Sequence, residues 1–333
     1  MLVPHGGETV HAVDRPRVAG RKCSVDLPRV SAVIPTYNRA ADVRLAVSTV
    51  VAQTYPAAAI EIVVVDDGGR DDTEAVLARA FGDRVRYLRK PNGGVSAARN
   101  FGMAASTGAL IALLDDDDEW CPTKIARQVE VLTARPEIAM VITDVERMDE
   151  HRVGFEIFRR REFIPEDGWV LPHVLRNPAL APASAMFRRE VFTATGGFDA
   201  SLRTAEDLDF HLRVAARFQI AVISEPLTRA MRGHQGLSAL ARTNRDYLDA
   251  VERFLDTHAA DIAPRDRDAA RFWAYARNAR GLLSTGRWRD AATLAARAAR
   301  HTRTSDEARE LARLGVVLAK NAAVRARRRL GAA

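Results

Sequence analysis

Four consecutive aspartates, Asp115 to Asp118, follow directly on an apolar run in the stretch Ala109-Leu-Ile-Ala-Leu-Leu114-Asp-Asp-Asp-Asp-Glu-Trp120. The six apolar residues read as a short strand buried on both faces. Four like charges at the end of such a strand repel one another, so they need a compensating cation or full solvation. Carboxylates at the carboxyl end of a parallel strand lie where open α/β sheets bind ligands. The chemistry this predicts is a hard divalent metal, held by one or two aspartates and completed by a phosphorylated ligand. A solvated acidic loop is the competing reading. Two more polar sites fall at predicted strand ends, Thr36-Tyr37-Asn38 and Asp66-Asp67. In a doubly wound sheet the three loops converge on one edge. There Tyr37 offers a flat face for a base, Asp67 an acceptor for a base N–H, and Arg99 a cation for a diphosphate. No Gly-x-x-x-x-Gly-Lys-Ser/Thr loop is present, and no G-x-G-x-x-G follows the first strand.

The elements that must position these residues alternate regularly. Val30–Pro35, Ile60–Val65, Arg84–Leu88 and Ala109–Leu114 read as strands. Ala40–Ala52, a segment from Asp72 or Thr73 to about Ala80, and Val95–Ser106 read as helices. Pro122 marks the start of another helix, to about Ala134, and Ile138–Thr143 is a further strand. This alternation with short connections predicts a parallel sheet covered on both faces. From Asp149 to Ala181 the pattern loosens around Pro165, Gly168, Pro172 and Pro178, as in a binding loop. Ala183–Phe187 reads as a strand and Arg189–Thr195 as a short helix. Ala205 opens a helix carrying Glu206, Asp207 and Asp209, and Ile220–Ser224 is a short strand. Beyond Leu240 the chain reads as helix, rich in Ala, Leu and Arg.

Composition bounds the class. The chain has 333 residues, 47% hydrophobic and 28% charged, with no apolar run near the ~20 residues of a membrane helix. The first 28 residues read as a disordered lead-in rather than a secretory signal. Cys23 and Cys121 imply neither a disulfide framework nor a zinc site, and a cytoplasmic location is the default expectation. Net charge is +7, and from Leu240 onward 20 Lys+Arg face 11 Asp+Glu, so the basic excess belongs to the tail. A solvated helical face, a contact with anionic membrane and a helical dimerisation surface all suit such a tail. No aromatic-basic platform or DNA-reading motif accompanies it, so nucleic acid is not expected as a partner.

Four stretches in register, VSAVIPTYNR (Val30–Arg39), IEIVVVDDGGRDDT (Ile60–Thr73), NGGVSAARNFGMAASTG (Asn92–Gly108) and ALIALLDDDDEWCPTKI (Ala109–Ile125), resemble family-2 glycosyltransferases of the GT-A fold. The resemblance covers about residues 30 to 240. It implies a GT-A domain over 29–239, with a nucleotide-binding half (29–145) and an acceptor half (146–239). Around it lie the lead-in (1–28) and a basic helical region (240–333). It also implies transfer of a sugar from a nucleotide diphosphate donor with inversion at the anomeric carbon. Pro35, Thr36 and Tyr37 would line the nucleobase site with Arg39 near it, and Asp67 would bond the base. Arg99 would lie near the diphosphate or sugar. In the Asp-x-Asp motif the outer aspartates match Asp115, toward the ribose or sugar, and Asp117, the direct metal ligand. Asp116 fills the variable position and Asp118 the following acidic one, with the register open by one residue.

Farther on, Gly196-Gly197-Phe198-Asp199 and Ala205-Glu206-Asp207-Leu208-Asp209 are similar to the family's acceptor-side helix, where Asp207 matches the catalytic base and Glu206 is its neighbouring alternative. His234 resembles a late histidine that completes the metal sphere, a ligand set suiting Mn²⁺ somewhat better than Mg²⁺. Trp169 is a candidate acceptor contact, with core packing as the alternative. Processive members carry Gln-x-x-Arg-Trp and membrane helices. Here Ser284 stands at the glutamine position before Arg287-Trp288, so one sugar per encounter is expected. The implied donor is a UDP-sugar, and the acceptor a sugar, lipid-linked or other hydroxyl. A nucleotidyltransferase of related fold and a non-catalytic nucleotide-sugar-binding protein are the competing functions.

Overall fold

β-Branched residues crowd the first two strands, β1 (Val30–Thr36) and β2 (Ile60–Asp66), and every residue of both is buried. The computed structural model describes residues 27–178, 180–232 and 243–330. Helix α1 (Ala40–Val51) connects β1 to β2, and α2 (Thr73–Phe81) leads to the edge strand β3 (Val85–Arg89). Helix α3 (Val95–Ala105) then crosses back to β4 (Leu110–Leu113). β1 pairs in parallel with β2 on one side and β4 on the other, Val33 lying opposite both Val63 and Leu113. The sheet order therefore reverses beside β1, and the carboxyl ends of β1, β2 and β4 open on one edge, where ligands bind in such sheets.

The second half adds antiparallel strands to the parallel sheet. It comprises β5 (Glu119–Trp120), α4 (Lys124–Ala134), β6 (Ile138–Met148), β7 (Gly154–Phe158), α5 (Leu171–Arg176), β8 (Met186–Arg188), α6 (Arg189–Thr195), α7 (Glu206–Ala215) and β9 (Gln219–Met231). The strand order is β3-β2-β1-β4-β8-β6-β9-β5, with β7 on β6. β8 is antiparallel to both β4 and β6, whereas β6 and β9 are parallel. The sheet is thus mixed. β6 and β9 run well past the ends expected from their apolar cores at Thr143 and Ser224. Their outer halves mix charged and apolar residues, and charges pair across the strands: Arg229 contacts Glu146 at 2.7 Å and Glu119 at 2.8 Å, and Arg147 contacts Glu156 at 2.7 Å. Cross-strand pairs of this kind support a ladder that hydrophobic periodicity does not reveal. The helix expected from Pro122 starts two residues later, at Lys124, and Glu119–Trp120 forms β5. The strand expected at Ala183 starts three residues later, after a tight turn at Pro182–Ser184.

Alternation along the strands sends side chains to two cores. On one face Val30, Ala32, Ile34, Ile62 and Val64 meet Val43, Val47 and Val50 of α1 and Ile125, Val129 and Leu132 of α4. On the other, Val33, Ile111, Leu113, Met140 and Phe187 meet Met103 of α3 and Leu208 and Leu212 of α7. Gly102 on α3 permits this contact: a Cβ there would stand 2.5 Å from Val33 Cγ1 and 2.9 Å from Val65 Cγ2. Residues after 242 form α8 (Thr243–Thr257), α9 (Pro264–Ser284), α10 (Trp288–Ala299) and α11 (Ser305–Leu330). Val251, Phe254 and Leu255 of α8 and Ala270 and Ala274 of α9 join the core beneath α7. A separate core holds α9, α10 and α11 together through Phe272, Ala276, Ala291 and Leu314. No described helix is long and apolar enough to cross a membrane.

Candidate active site

A cavity of about 480 Å³ opens at the carboxyl ends of β1, β2 and β4. Pro35, Thr36, Tyr37, Arg39, Asp67, Arg99, all four residues Asp115–Asp118, Glu206 and Asp207 line it. Residues drawn from five segments of the sequence are therefore brought together. Trp169 is 63% exposed and is not part of this wall. His234 lies outside the described residues.

Each acidic side chain has a defined partner. Arg99 Nη2 donates to Asp115 Oδ1 at 2.6 Å. Thr36 Oγ1 donates to Asp116 Oδ2 at 2.8 Å, and Arg39 Nη1 reaches Asp116 Oδ1 at 3.1 Å and Asp117 Oδ2 at 2.8 Å. The sequence reading set Arg39 near a nucleobase; here its guanidinium bridges two carboxylates. The backbone N–H of Met231 donates to Asp118 Oδ1 at 2.9 Å. Burial pushes the Asp116 carboxyl up to about 7, and the charges of Asp117 and Asp115 add to it against the pull of Arg39 and Thr36. Burial likewise raises Asp118, reinforced by Asp115 and Asp117. Burial and mutual repulsion thus disfavour full ionisation of the cluster.

Among the described residues no group of three or more His, Cys, Asp or Glu side chains is arranged to hold a metal. The donor set fits a different mode of binding. One or two hard carboxylate oxygens, at the mouth of a cavity large enough for a phosphorylated ligand, suit a cation whose remaining ligands come from that ligand and water. Asp115 and Asp117 both line this cavity.

On the wall formed by the ends of β1 and β2, Tyr37 is 50% exposed and free to present its ring. Asp67 is buried and already engaged: Lys90 Nζ lies 2.6 Å from Oδ1, and the backbone N–H groups of Gly93 and Gly94 donate to the carboxylate. Asp67 thereby fixes the turn that starts α3, and so the depth of Arg99. Lys90 was not singled out from sequence; its place directly before Pro91-Asn92-Gly93-Gly94 is the signal that marks it.

The opposite wall is the start of α7. Arg99 is fully enclosed, with its guanidinium between Asp115 and Glu206 (3.2 Å) and over the Phe198 ring at 5.0 Å. Burial acts to lower its pKa, but Asp115 and Glu206 outweigh it and keep it charged. Asp207 accepts from the Leu208 N–H at 2.8 Å and from the Tyr247 hydroxyl at 3.1 Å on each oxygen. Burial raises its pKa, opposed by the Leu208 N–H and the Tyr247 hydroxyl. Ala205, immediately before α7, has φ of +63°, a left-handed conformation unusual for a residue with a Cβ. A buried arginine thus ties the aspartate-rich loop to a helix whose first turn carries a second carboxylate facing the same cavity.

A mixed sheet of this order, with an aspartate-rich loop after its fourth strand and an acidic helix start across the cavity, defines the GT-A class of fold. Residues 31–195 match the model of glycosyl transferase family 2. An uncharacterized glycosyltransferase of Rickettsia typhi is 42% identical over 230 residues, covering 68% of this chain and 69% of that protein. The chain belongs to glycosyltransferase family 2. An uncharacterized glycosyltransferase of Rickettsia felis is 32% identical over 200 residues, 56% of this chain and 31% of the relative. The chain thus spans about a third of the length of that relative and of a Rickettsia conorii counterpart, where the figure is 36%. Two solved structures share the fold, each with a TM-score of 0.59. S. aureus TarS 1-349, in complex with UDP-GlcNAc, is 17% identical and covers 74% of this chain and 70% of its own. The mannosyltransferase PcManGT of Pyrobaculum calidifontis, in complex with GDP-Man and Mn²⁺, is 21% identical and covers 89% and 80%.

Proposed function

We propose that the protein is an inverting glycosyltransferase that moves a single sugar from a nucleotide diphosphate sugar to an acceptor hydroxyl with the help of a divalent metal. The observation that carries this reading is the meeting of Asp207 and the aspartate cluster in one cavity, with Arg99 bridging Asp115 and Glu206. An inverting displacement needs a carboxylate beside the acceptor hydroxyl and, across the sugar, a site for the departing diphosphate.

In this reading Tyr37 stacks on the base, Pro35 and Thr36 line its pocket, and Asp115 meets the ribose or sugar. Asp67 acts on the base side, both as an acceptor and through the turn it holds. Asp207 takes the proton from the acceptor hydroxyl as its oxygen attacks the anomeric carbon, a contribution of ~10²–10⁴-fold. The bond from that carbon to the diphosphate oxygen breaks, its electron pair leaves with the nucleoside diphosphate, and the configuration inverts. Arg99 keeps its charge beside the leaving group. A cation bound by Asp117 and His234, Mn²⁺ or Mg²⁺, would neutralise charge developing on the diphosphate. The UDP-GlcNAc and GDP-Man of the two structural relatives support a nucleotide-sugar donor, and we take a UDP-sugar as the first candidate.

A panel of UDP-, GDP- and dTDP-sugars scored by thermal shift with and without Mn²⁺ tests the donor. The true donor raises stability by mass action only when the metal is present. Asp207→Asn should keep that shift and lose transfer; undiminished transfer would sink the base assignment. For location we propose the cytoplasm, with the basic tail against anionic membrane, as its charge balance supports. Liposome co-sedimentation indifferent to anionic lipid and salt would remove the membrane contact.

A further inference from the structure

We propose that Tyr247, on α8, is a positioning residue for the Asp207 carboxylate. The inference rests on the reading of Asp207 as the base. The Tyr247 hydroxyl stands 3.1 Å from both Asp207 oxygens, and among the described residues the only other donor to this carboxylate is the Leu208 N–H, on Oδ1. Oδ2 therefore depends on the phenol alone.

The helix that carries the phenol is anchored from both sides of it. Asp246 accepts a hydrogen bond from the hydroxyl of Thr204, just before α7. Arg253 Nη2 donates to Asp209 Oδ1 at 3.0 Å, one residue beyond Leu208. Ala250, Val251, Phe254 and Leu255 are buried in the core under α7, and the Tyr247 ring packs against the same core. Such a brace holds α7 onto its left-handed start at Ala205 and fixes the height of the phenol over the carboxylate.

The electrostatics agree with the geometry. The charged groups facing Asp207 are Glu206 on its own helix, Arg99 from α3 and Asp115 from the loop after β4, with Arg277 of α9 beyond the phenol. Burial disfavours the anion, and the Tyr247 hydrogen bond opposes that cost. A base must be ionised to accept a proton, so the phenol keeps Asp207 ready and points it.

The test compares the 333-residue chain with Tyr247→Phe, which retains the packing ring, and with Asp207→Asn. The titration of Asp207 is followed by carboxyl ¹³C NMR, its signal assigned by its loss in Asp207→Asn. Turnover is followed as nucleoside diphosphate release from UDP-GlcNAc or GDP-mannose with Mn²⁺ and water as acceptor. Tyr247→Phe should raise the Asp207 pKa and move the acidic limb of the kcat profile to higher pH. It should also lower kcat about 10–100-fold, the worth of one hydrogen bond to a charged group, and leave the donor KM unchanged. An Asp207 titration identical in wild type and Tyr247→Phe overturns the proposal whether or not these donors turn over. Undiminished release in Asp207→Asn overturns the base reading instead. An inactive Asp207→Asn beside a Tyr247→Phe with wild-type kcat and titration removes Tyr247 alone.

Discussion

Gly102→Ala is the substitution whose sign is most at odds with helix propensity. Alanine in a helix interior is favoured over glycine by about 1 kcal/mol, so propensity alone predicts stabilisation. The Cβ it adds would lie 2.5 Å from Val33 Cγ1 and 2.9 Å from Val65 Cγ2, whereas carbon atoms rest at about 3.5–4.0 Å. Both valines are fully buried on central strands, and their χ1 angles are stiff. Helix α3 must then lift from the sheet by about 1 Å. Overpacking of this severity costs ~3 kcal/mol, which leaves a net loss of ~2 kcal/mol after the propensity gain. At 2–4 °C per kcal/mol this is a fall in Tm of roughly 4–8 °C. Gly315, on α11, has nothing within 4 Å of its added Cβ, and Gly315→Ala should therefore stabilise by about 1 kcal/mol. Urea unfolding and thermal melts of the two variants provide the comparison. Trimming the obstacle with Val33→Ala should make Gly102→Ala less costly than it is in the wild-type background. A Gly102→Ala protein as stable as wild type, or more so, would refute the claim that this helix is held at contact distance by the absence of a side chain.

His211 is buried near Arg160, Arg99 and Arg213, and burial foremost depresses its pKa from 6.5 to about 3. The unfolded chain takes a proton below pH 6.5 that the folded chain refuses until about pH 3. Its contribution is therefore complete above pH 6.5 and lost as pH falls toward 3, by up to about 5 kcal/mol. His211→Asn should flatten urea-derived stability over that window, and an unchanged slope counts against the burial argument. Tyr37→Ala should weaken binding of the nucleoside diphosphate by ~1–3 kcal/mol, as loss of an aromatic stacking partner does. Tyr37→Phe should bind nearly as wild type by calorimetry, and equal losses in both would point to the hydroxyl instead. Chelation with EDTA should abolish the donor-dependent rise in Tm, and so should Asp117→Asn; a shift that survives both would remove the metal from donor binding.

The parts legible in the sequence are those that bury apolar residues on both faces. β1, β2 and β4 are continuous apolar runs and emerge where the pattern sets them, and α6 covers the expected Arg189–Thr195. Convergence of Tyr37, Asp67 and Asp115 follows from strand direction alone, since each sits just past a carboxyl end. The outer halves of β6 and β9, with β5 and β7, were hidden because charge pairs such as Arg229–Glu119 and Arg147–Glu156 hold them. Their strands read as polar loop. Side-chain partners were less legible still. Nothing in the local pattern turns Arg39 toward Asp116 and Asp117, or sets Tyr247 against a carboxylate 40 residues earlier. In sequence Tyr247 is one more apolar position on an amphipathic helix.

The two faces of the sheet are completed at different moments of synthesis. The core against α1 and α4 draws its described residues from Val30 to Leu227, whereas the core against α3 and α7 extends to Ala274 on α9. At ~5–20 residues per second, roughly 2–10 s separate the two on the ribosome. During that interval the underside of α7, with Phe210 and Leu212, waits for α8 and α9 to cover it. A nascent chain stalled in this window carries a finished core against α1 and α4 beside an open apolar one. Exposed apolar surface of that kind is what makes folding intermediates prone to aggregate.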